Sequence, residues 1–403
     1  MITSLSIKNF RSIESADVAL APITVLYGPT SSGKSSLLYA ALVLRNFVLN
    51  PNRQADGYFH LGFMDLGGFD ACVFNHDAAR SVSIAITHEK DGGKAVYGLA
   101  FSKTAGTIQQ TTQMLTMQAK VSIPYALNQT FPFTLTDGNQ SSATSVGEEY
   151  TVNWNGISCT VAPKKPTAET QARAQELAAS LNASAEIVKA IDIAPHRRGF
   201  FKPNYTTAAV SPIPTTEDEM ASIIINDANM QGRISVYMEE IFGRDFRWYV
   251  APGTATAFFQ TTEKKSRIPV LLVNDGFGVN QVTYLLAKMH RVDVRTILIE
   301  EPEVHLHPTV LRNFAKALCA FAKEEGKQII FTTHSELFLS SILTVVAEGN
   351  LGTEEIKCYL TTKEKKSTGF NPQKVEKTGQ IEGGLSSFVE AEVADLRKFL
   401  GVK

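Results

Sequence analysis

The sequence predicts an α/β fold of the P-loop class with a mixed sheet, interrupted by an insertion that is rich in strands and partly helical. An apolar strand, "PITVLY" at residues 22–27, leads into a glycine loop at 28–36 and a helix at 34–49. The last third of the chain alternates strands with helices. Between residues 81 and 161, strand-like segments are separated by Gly and Asn-Gly turns, which is typical of β structure.

Composition narrows the class of protein. The 403 residues are 44% hydrophobic, enough for a sizeable core, and 39 Lys and Arg balance 40 Asp and Glu, giving a formal charge of −1. Any binding to nucleic acid would therefore need a local basic patch. The start of the chain lacks the pattern of a signal peptide, and no apolar run is long enough for a membrane span, so we expect a cytoplasmic protein. Four distant cysteines fit a reducing compartment: Cys72, Cys159, Cys319 and Cys358.

The elements follow in order. Residues 167–191 predict a helix of 25 residues, about 37 Å long at 1.5 Å per residue, which is too short for a long coiled-coil arm. A Pro-rich stretch at 196–220 predicts irregular structure. The final third predicts strands at 294–301, 327–335 and 355–362, a helix at 308–326, and an amphipathic helix at 386–400. The predicted organisation is a lobe with the glycine loop at 1–80, an insertion at 81–250, a second lobe at 251–362, and a tail with a helix at 363–403.

The stretch "GPTSSGKSS" matches the phosphate-loop pattern G-x-x-x-x-G-K-[ST] between a strand and a helix. Backbone amides of such a loop can approach phosphates, and the helix N-terminus favours negative charge. Lys34 would reach the β- and γ-phosphates of ATP, and the Ser35 hydroxyl would coordinate Mg²⁺. The candidate ATP-binding residues here are Gly28, Pro29, Thr30, Ser31, Ser32, Gly33, Lys34, Ser35 and Ser36.

Three further motifs carry polar groups that could act on ATP. In "TILIEE", Glu300 ends a buried strand and is expected to join the Mg²⁺ shell, while Glu301 would act as general base. His334 ends the strand "IIFTTHS" and could contact a γ-phosphate or the attacking water. The glycines of "NDGFGVNQ" precede a helix whose N-terminus would suit a nucleotide held by another subunit.

These four motifs, in this order, resemble the ATPase head of the ABC superfamily, in its soluble branch of OLD, RecF and SMC proteins. "SIKNFRSIES" resembles the opening of that branch, "DGFGVNQ" its signature, "IEEPEVHLHP" its Walker B and D-loop, and "TTHS" its switch histidine. The resemblance covers about residues 1–50 and 270–345. It implies that Arg11 approaches ATP and that two heads sandwich two ATP molecules. Residues that would complete the partner's site are Gly276, Phe277, Gly278, Asn280 and Gln281.

Departures from the family pattern narrow the function further. Glu300 stands where most ABC proteins have aspartate. A Q-loop glutamine is not identifiable, although residues 61–76 lie about where it would fall. After Leu360 the sequence lacks the acidic pattern of the Toprim nuclease that is fused to OLD proteins, so we expect no nuclease in this chain.

Several other interpretations are open. A transporter subunit is disfavoured by "EEPEVHLHP" and the interrupted signature, and a GTPase by the absence of N-K-x-D. A metal hydrolase would need a third ligand beside His305 and His307. Two functions remain: an ATP-driven switch, dimeric or of higher order, that controls a separate effector, as in antiphage defence, and a RecF-like DNA-binding ATPase in repair. The candidate DNA contacts are His196, Arg197, Arg198, Phe200, Phe201 and Lys202, with Lys264, Lys265 and Arg267, although a solvated loop is the favoured interpretation of both groups.

Overall fold

The computed structural model describes residues 1–50, 54–90, 93–113, 117–127, 132, 140–145 and 147–384. The strands are β1 (Ile2–Phe10), β2 (Ile13–Ala19), β3 (Ile23–Tyr27), β4 (Val82–Lys90), β5 (Gly93–Phe101), β6 (Ala105–Gln113), β7 (Met117–Ala126), β8 (Gln140–Ser145), β9 (Glu148–Trp154), β10 (Cys159–Pro163), β11 (Ile191–Ala194), β12 (Tyr205–Thr206), β13 (Arg244–Val250), β14 (Thr256–Glu263), β15 (Pro269–Leu271), β16 (Thr296–Glu300), β17 (Gln328–Thr333), β18 (Ile356–Glu364) and β19 (Ser367–Gln373). The α-helices are α1 (Lys34–Leu49), α2 (Gly68–Cys72), α3 (Ala168–Lys189), α4 (Glu217–Asn226), α5 (Met230–Phe242), α6 (Phe277–Met289), α7 (Pro308–Glu324) and α8 (Glu336–Ala347). None of the helices in this part of the chain is long and apolar enough to cross a membrane.

Contacts divide the chain into two compact units. The first draws on residues 1–20, 35–191 and 362–370, and the second on residues 21–34, 192–361 and the segment that begins at residue 371. This division differs from the predicted ranges, which placed the end of the insertion at residue 250. It falls at 191 because the segment that follows α3 packs with the later strands and helices rather than with the antiparallel strands.

The first unit contains a nine-stranded antiparallel sheet in the order β10-β9-β8-β7-β6-β5-β4-β1-β2. Its strands alternate buried and exposed positions, as β6 does along its whole length, because successive side chains point to opposite faces. Helix α3 packs on this sheet and begins with a capping box between Thr167 and Thr170. The β structure predicted between residues 81 and 161 is confirmed by β4 to β10, and the structure adds that these strands pair antiparallel.

The second unit is built around a six-stranded sheet in the order β11-β16-β17-β3-β18-β19. Every residue of β3, β16 and β17 is buried, as expected for parallel strands covered on both faces. The apolar faces of α5, α6, α7 and α8 join these strands in one hydrophobic core. This central part of the sheet holds the loops of the candidate site.

The α/β prediction is confirmed, with α1, α3, α6, α7, β3, β16, β17 and β18 close to their predicted positions. Two strands of the six-stranded sheet were not predicted. β11 follows α3 directly, and β19 lies in the Lys-rich stretch that was assigned to the tail, so the predicted boundary at residue 363 falls within β18. The helix predicted at 386–400 lies outside the described residues.

Candidate functional site

Three neighbouring strands end at one edge of the six-stranded sheet. β16, β17 and β3 are adjacent and parallel, with Glu300 opposite Thr332 and Thr333 opposite Tyr27. Because the carboxyl ends of parallel strands meet at the same edge, the loops that follow these strands converge there. The candidate site is built from these three loops.

The loop after β3 has the backbone of a phosphate loop. Gly28 has φ of +139°, and a Cβ at this position would lie 2.5 Å from the carbonyl oxygen of Thr361, so only glycine fits. Ser31 and Gly33 also have positive φ, of +63° and +99°. This succession of turns can wrap backbone amides around an anion.

Lys34 begins helix α1 and is 5% exposed. Its ammonium Nζ donates to the carbonyl oxygens of Gly28 at 2.9 Å and Pro29 at 2.8 Å, and lies 3.4 Å from Nδ1 of His334. Burial lowers the pKa of Lys34 to about 8, although the negative charges of Glu301 and Glu303 oppose this shift. The lysine thus folds back on its own loop.

Two carboxylates end β16, as the sequence predicts. Glu300 is 6% exposed, and its Oε2 accepts from the backbone N–H of His196 at 3.2 Å. Glu301 has φ of +44°, a left-handed conformation that is costly for a residue with a side chain and is often found at functional sites. Its Oε1 lies 2.9 Å from Nε2 of His334, and its Oε2 lies 3.3 Å from Nδ1 of His196.

The segment after β11 contacts the backbone of Glu300 and Glu301 through Arg198. Arg198 is 3% exposed and donates to the carbonyl oxygen of Glu300 at 2.6 Å and to that of Glu301 at 2.9 Å. Burial lowers its pKa to about 10, which leaves the guanidinium charged at neutral pH. Arg198 and Phe200 are too buried to contact DNA, so their assignment to a basic surface patch is wrong.

Glu303 is a further site residue that the sequence did not single out. Its Oε1 accepts from the hydroxyl of Thr333 at 2.6 Å and from the backbone N–H of His334 at 3.1 Å. Burial raises the pKa of this carboxyl, against the effect of its hydrogen bonds. The pKa of His334 is lowered, chiefly by burial and then by the charge of Lys34. Glu303 therefore holds the backbone at a histidine that is neutral at physiological pH.

The glycine-rich stretch before α6 contributes exposed and buried groups. Gly276 precedes the helix with φ of +75°, and Phe277 is 62% exposed. Gly278 packs closely, since a Cβ there would lie 2.6 Å from the carbonyl oxygen of His305. The N-terminal end of α6 is thus in contact with the loop that follows β16.

Two family models and two relatives match parts of this chain. A family model described as "AAA ATPase domain" matches residues 1–143, and one described as "AAA domain, putative AbiEii toxin, Type IV TA system" matches residues 195–340. An OLD nuclease of Thermus scotoductus is 47% identical over 45 residues, which are 11% of this chain. The RecF protein of Erwinia tasmaniensis, named for DNA replication and repair, is 34% identical over 121 residues, which are 29% of this chain. These matches support an ABC-superfamily ATPase of the branch that includes the OLD, RecF and SMC proteins.

This ABC-type chain spans only 8% of the length of the OLD nuclease and 31% of that of the RecF protein. A solved structure of an Smc head bound to the C-winged helix domain of ScpA matches it with a TM-score of 0.50 at 12% identity, over 93% of this chain and 98% of that one. At this identity the likeness concerns the fold, which is that of an ABC-type head.

The predicted site residues fall into two groups in the structure of this ABC-type chain. Lys34, Glu300, Glu301 and His334 come together in the second unit, beside the glycine loop. Arg11, Ser35 and Ser36 belong to the first unit. There, the Arg11 guanidinium lies 5.2 Å from the centre of the Tyr39 ring, and its backbone N–H donates to Cys72.

The two histidines of the Walker B stretch have structural contacts. The ring of His305 lies 5.7 Å from that of Phe277. Nδ1 of His307 accepts from the backbone N–H of Thr309 and caps α7. Among the described residues, no group of three His, Cys, Asp or Glu side chains is arranged to hold a metal ion. These contacts argue against the metal-hydrolase alternative.

Asn280 and Gln281 were predicted to face the partner's nucleotide, but both are buried, at 3% and 7% exposure. The Asn280 side chain accepts from the N–H of Phe200 at 2.6 Å and donates to its carbonyl oxygen at 2.7 Å. Burial therefore commits Asn280 to packing within its own chain. Of the predicted signature residues, Gly276 and Phe277 are exposed and Gly278 is half-buried.

We expect Asn280→Ala to lower the free energy of unfolding by about 2–4 kcal/mol, because it leaves the buried amide and carbonyl groups of Phe200 without their partners. Chemical denaturation measures this change. Asn350→Ala is the matched control, since the Asn350 side chain makes an exposed 3.4 Å contact with Glu348 and its loss should change stability by less than about 0.5 kcal/mol. Equal stabilities of the two variants would contradict the structural role of Asn280.

Proposed function

We propose that the chain binds and hydrolyses ATP with Mg²⁺, and that two copies sandwich two nucleotides in a switch that controls a separate effector protein, of the kind used in antiphage defence. The observation that carries this proposal is the contact series from Lys34 through His334 to Glu301. It joins a phosphate-binding lysine, a histidine and a candidate base at one edge of the sheet, where an ATP γ-phosphate would lie beside all three.

The loop at 28–33 would hold the phosphates through its backbone amides, and Lys34 would exchange its two carbonyl contacts for phosphate oxygens. Glu300 offers carboxylate oxygens for Mg²⁺, a hard cation that prefers oxygen ligands, and the Ser35 hydroxyl is the second oxygen ligand that the phosphate-loop motif predicts. Bound there, Mg²⁺ would neutralise part of the charge on the phosphates.

Glu301 would take a proton from a water molecule as the water oxygen bonds to the γ-phosphorus. The bond between that phosphorus and the oxygen bridging to the β-phosphate breaks, and ADP leaves with the bonding electrons. His334 would donate to the γ-phosphate, because its lowered pKa keeps it neutral with one N–H available. Two glycines and the exposed Phe277 at the start of α6 would face the nucleotide of a second copy.

The pH dependence of ATP binding tests the role of Lys34. Its pKa of about 8 in the free protein should rise when phosphates replace the carbonyls, so binding takes up a proton above pH 8. The affinity for ATP is therefore highest below pH 8 and falls as the pH rises above 8. The dissociation constant for ATP should be ~10-fold higher at pH 9 than at pH 7. Titration with a fluorescent ATP analogue measures it. Lys327→Ala is the control, because Lys327 also has a pKa of about 8 but contacts the backbone of Met289 and Arg291; that variant should keep the pH dependence.

A RecF-like role on DNA is the alternative, favoured by the 34% identity to a RecF protein over 121 residues. Phosphate release by the purified chain, measured with ATP and Mg²⁺ with and without duplex DNA, separates the two functions. Stimulation by DNA that weakens with salt supports the DNA-binding role. Hydrolysis without a DNA response supports the switch. If the chain neither binds nucleotide nor releases phosphate, both functions are overturned.

A further inference from the structure

Glu301 contacts a different histidine with each of its two carboxylate oxygens. His334 lies 2.9 Å from Oε1, and His196 lies 3.3 Å from Oε2. The sequence motifs account for His334 only. His196 belongs to the segment after β11. It lies 105 positions before Glu301 in the sequence. Its contact with the candidate base is therefore a product of the fold.

The contact of His334 with Glu301 depends on Lys34, whereas the contact of His196 with Glu301 does not. The Lys34 ammonium can only donate, so Nδ1 of His334, 3.4 Å away, must accept from it. The proton of the neutral His334 ring is then on Nε2, where it donates to Oε1 of Glu301. If Lys34 and His334 both turn to the phosphates of ATP, Oε1 loses its donor. The contact of His196 with Oε2 involves neither of them.

The backbone at His196 is held by contacts with the Glu300 carboxylate and with the backbone of Glu300 and Glu301. Its N–H donates to Oε2 of Glu300, and Arg198, two residues later, donates to the carbonyl oxygens of Glu300 and Glu301. The His196 side chain itself is 57% exposed. An exposed contact of this kind contributes little to stability, so its removal should leave the fold intact. Its effect would be on the direction in which Glu301 points.

We propose that His196 is a positioning residue for ATP hydrolysis: its Nδ1–H holds Oε2 of Glu301, so that Oε1 faces the attacking water. The inference rests on the proposed function, in which Glu301 is the base. It assigns His196 to the orientation of a carboxylate instead of to DNA. It also gives the segment after β11 a direct effect on the chemical step.

The test compares His196→Ala with His196→Asn in steady-state ATP hydrolysis. We expect His196→Ala to lower kcat about 10-fold or more, because the base is no longer held in line with the water, while KM and the ATP dissociation constant stay within about 2-fold. Asparagine carries an N–H donor about where Nδ1 lies, so His196→Asn should recover most of the lost kcat. Lys202→Ala is the matched control from the same segment, since Lys202 contacts Asp218 at 2.5 Å and should hydrolyse ATP at the wild-type rate.

Glu301→Gln, measured in parallel, separates this inference from the proposed function. If Glu301→Gln is inactive but His196→Ala hydrolyses ATP at the wild-type rate, the positioning role is overturned and the proposed function stands. An equal loss of kcat in His196→Ala and His196→Asn would also overturn it, because a hydrogen-bond donor would then not be what matters. Wild-type hydrolysis by Glu301→Gln would exclude Glu301 as the base and with it the positioning role of His196, whereas absence of ATP hydrolysis by the unmutated chain would overturn the proposed function itself.

Discussion

Glu301→Gln is expected to lower the rate of ATP hydrolysis by about 10²–10⁴-fold while ATP binding is retained. Glutamine has the shape of glutamate but cannot accept a proton from water at neutral pH. The phosphate contacts of the glycine loop and Lys34 do not involve this side chain, so the affinity for ATP should change little. Phosphate release gives the rate, and binding of a fluorescent ATP analogue gives the affinity.

The same variant should also accumulate as a dimer when ATP and Mg²⁺ are present. If two copies enclose two nucleotides, blocking hydrolysis removes the step that separates them. Light scattering coupled to size-exclusion chromatography, with and without ATP, measures this change. Glu303→Gln is the matched control: Glu303 accepts from Thr333 and His334 and is not assigned the role of base, so it should hydrolyse ATP faster than Glu301→Gln. Unchanged hydrolysis by Glu301→Gln would exclude Glu301 as the base.

The residues that follow buried strands were predictable from sequence, whereas their partners were not. Lys34, Glu300 and His334 each end or follow an apolar run, and parallel strands bring such positions to one edge of a sheet. Arg198 and His196 have no motif of their own. Their contacts depend on β11 lying beside β16, which local periodicity does not encode.

A weaker signal for the burial of Arg198 was present in the sequence. Arg198 stands between Pro195 and the apolar pair Phe200 and Phe201, next to Gly199, whose Cβ position lies 2.9 Å from Oδ1 of Asn280. The apolar neighbours are the signal that the sequence carried, whereas the close packing at Gly199 is visible only in the structure. The Pro-rich composition of the stretch concealed this signal.

In the fold, too, local sequence patterns predicted some strands and missed others. β structure at 81–161 was predictable because apolar and polar residues alternate in several of its strands, as in β4 and β9. β19 was missed because its residues, "STGFNPQ", are mostly polar and follow a run of lysines. Its place beside β18 comes from pairing at the edge of the sheet, where few apolar residues are needed.

The other large effect is expected from Lys34→Ala, which should weaken ATP binding by about 10²-fold or more. Hydrogen bonds to charged groups contribute about 1.5–3 kcal/mol each, and the lysine would make at least one to the phosphates. The loss exceeds that of an ordinary surface lysine because Lys34 is 5% exposed and its charge is poorly screened by water.

Lys327→Ala gives the control for this loss of binding. Both lysines are buried, both donate to two backbone carbonyls, and burial lowers both pKa values to about 8. Lys327→Ala should therefore lower the free energy of unfolding but leave ATP affinity unchanged. Lys34→Ala should lose ATP affinity although its circular dichroism spectrum shows that the protein is folded. Isothermal titration calorimetry with ATP and Mg²⁺ distinguishes the two. Retention of wild-type affinity by Lys34→Ala would exclude the loop at 28–34 as the phosphate-binding site, because its backbone contacts alone do not supply the positive charge that ATP needs.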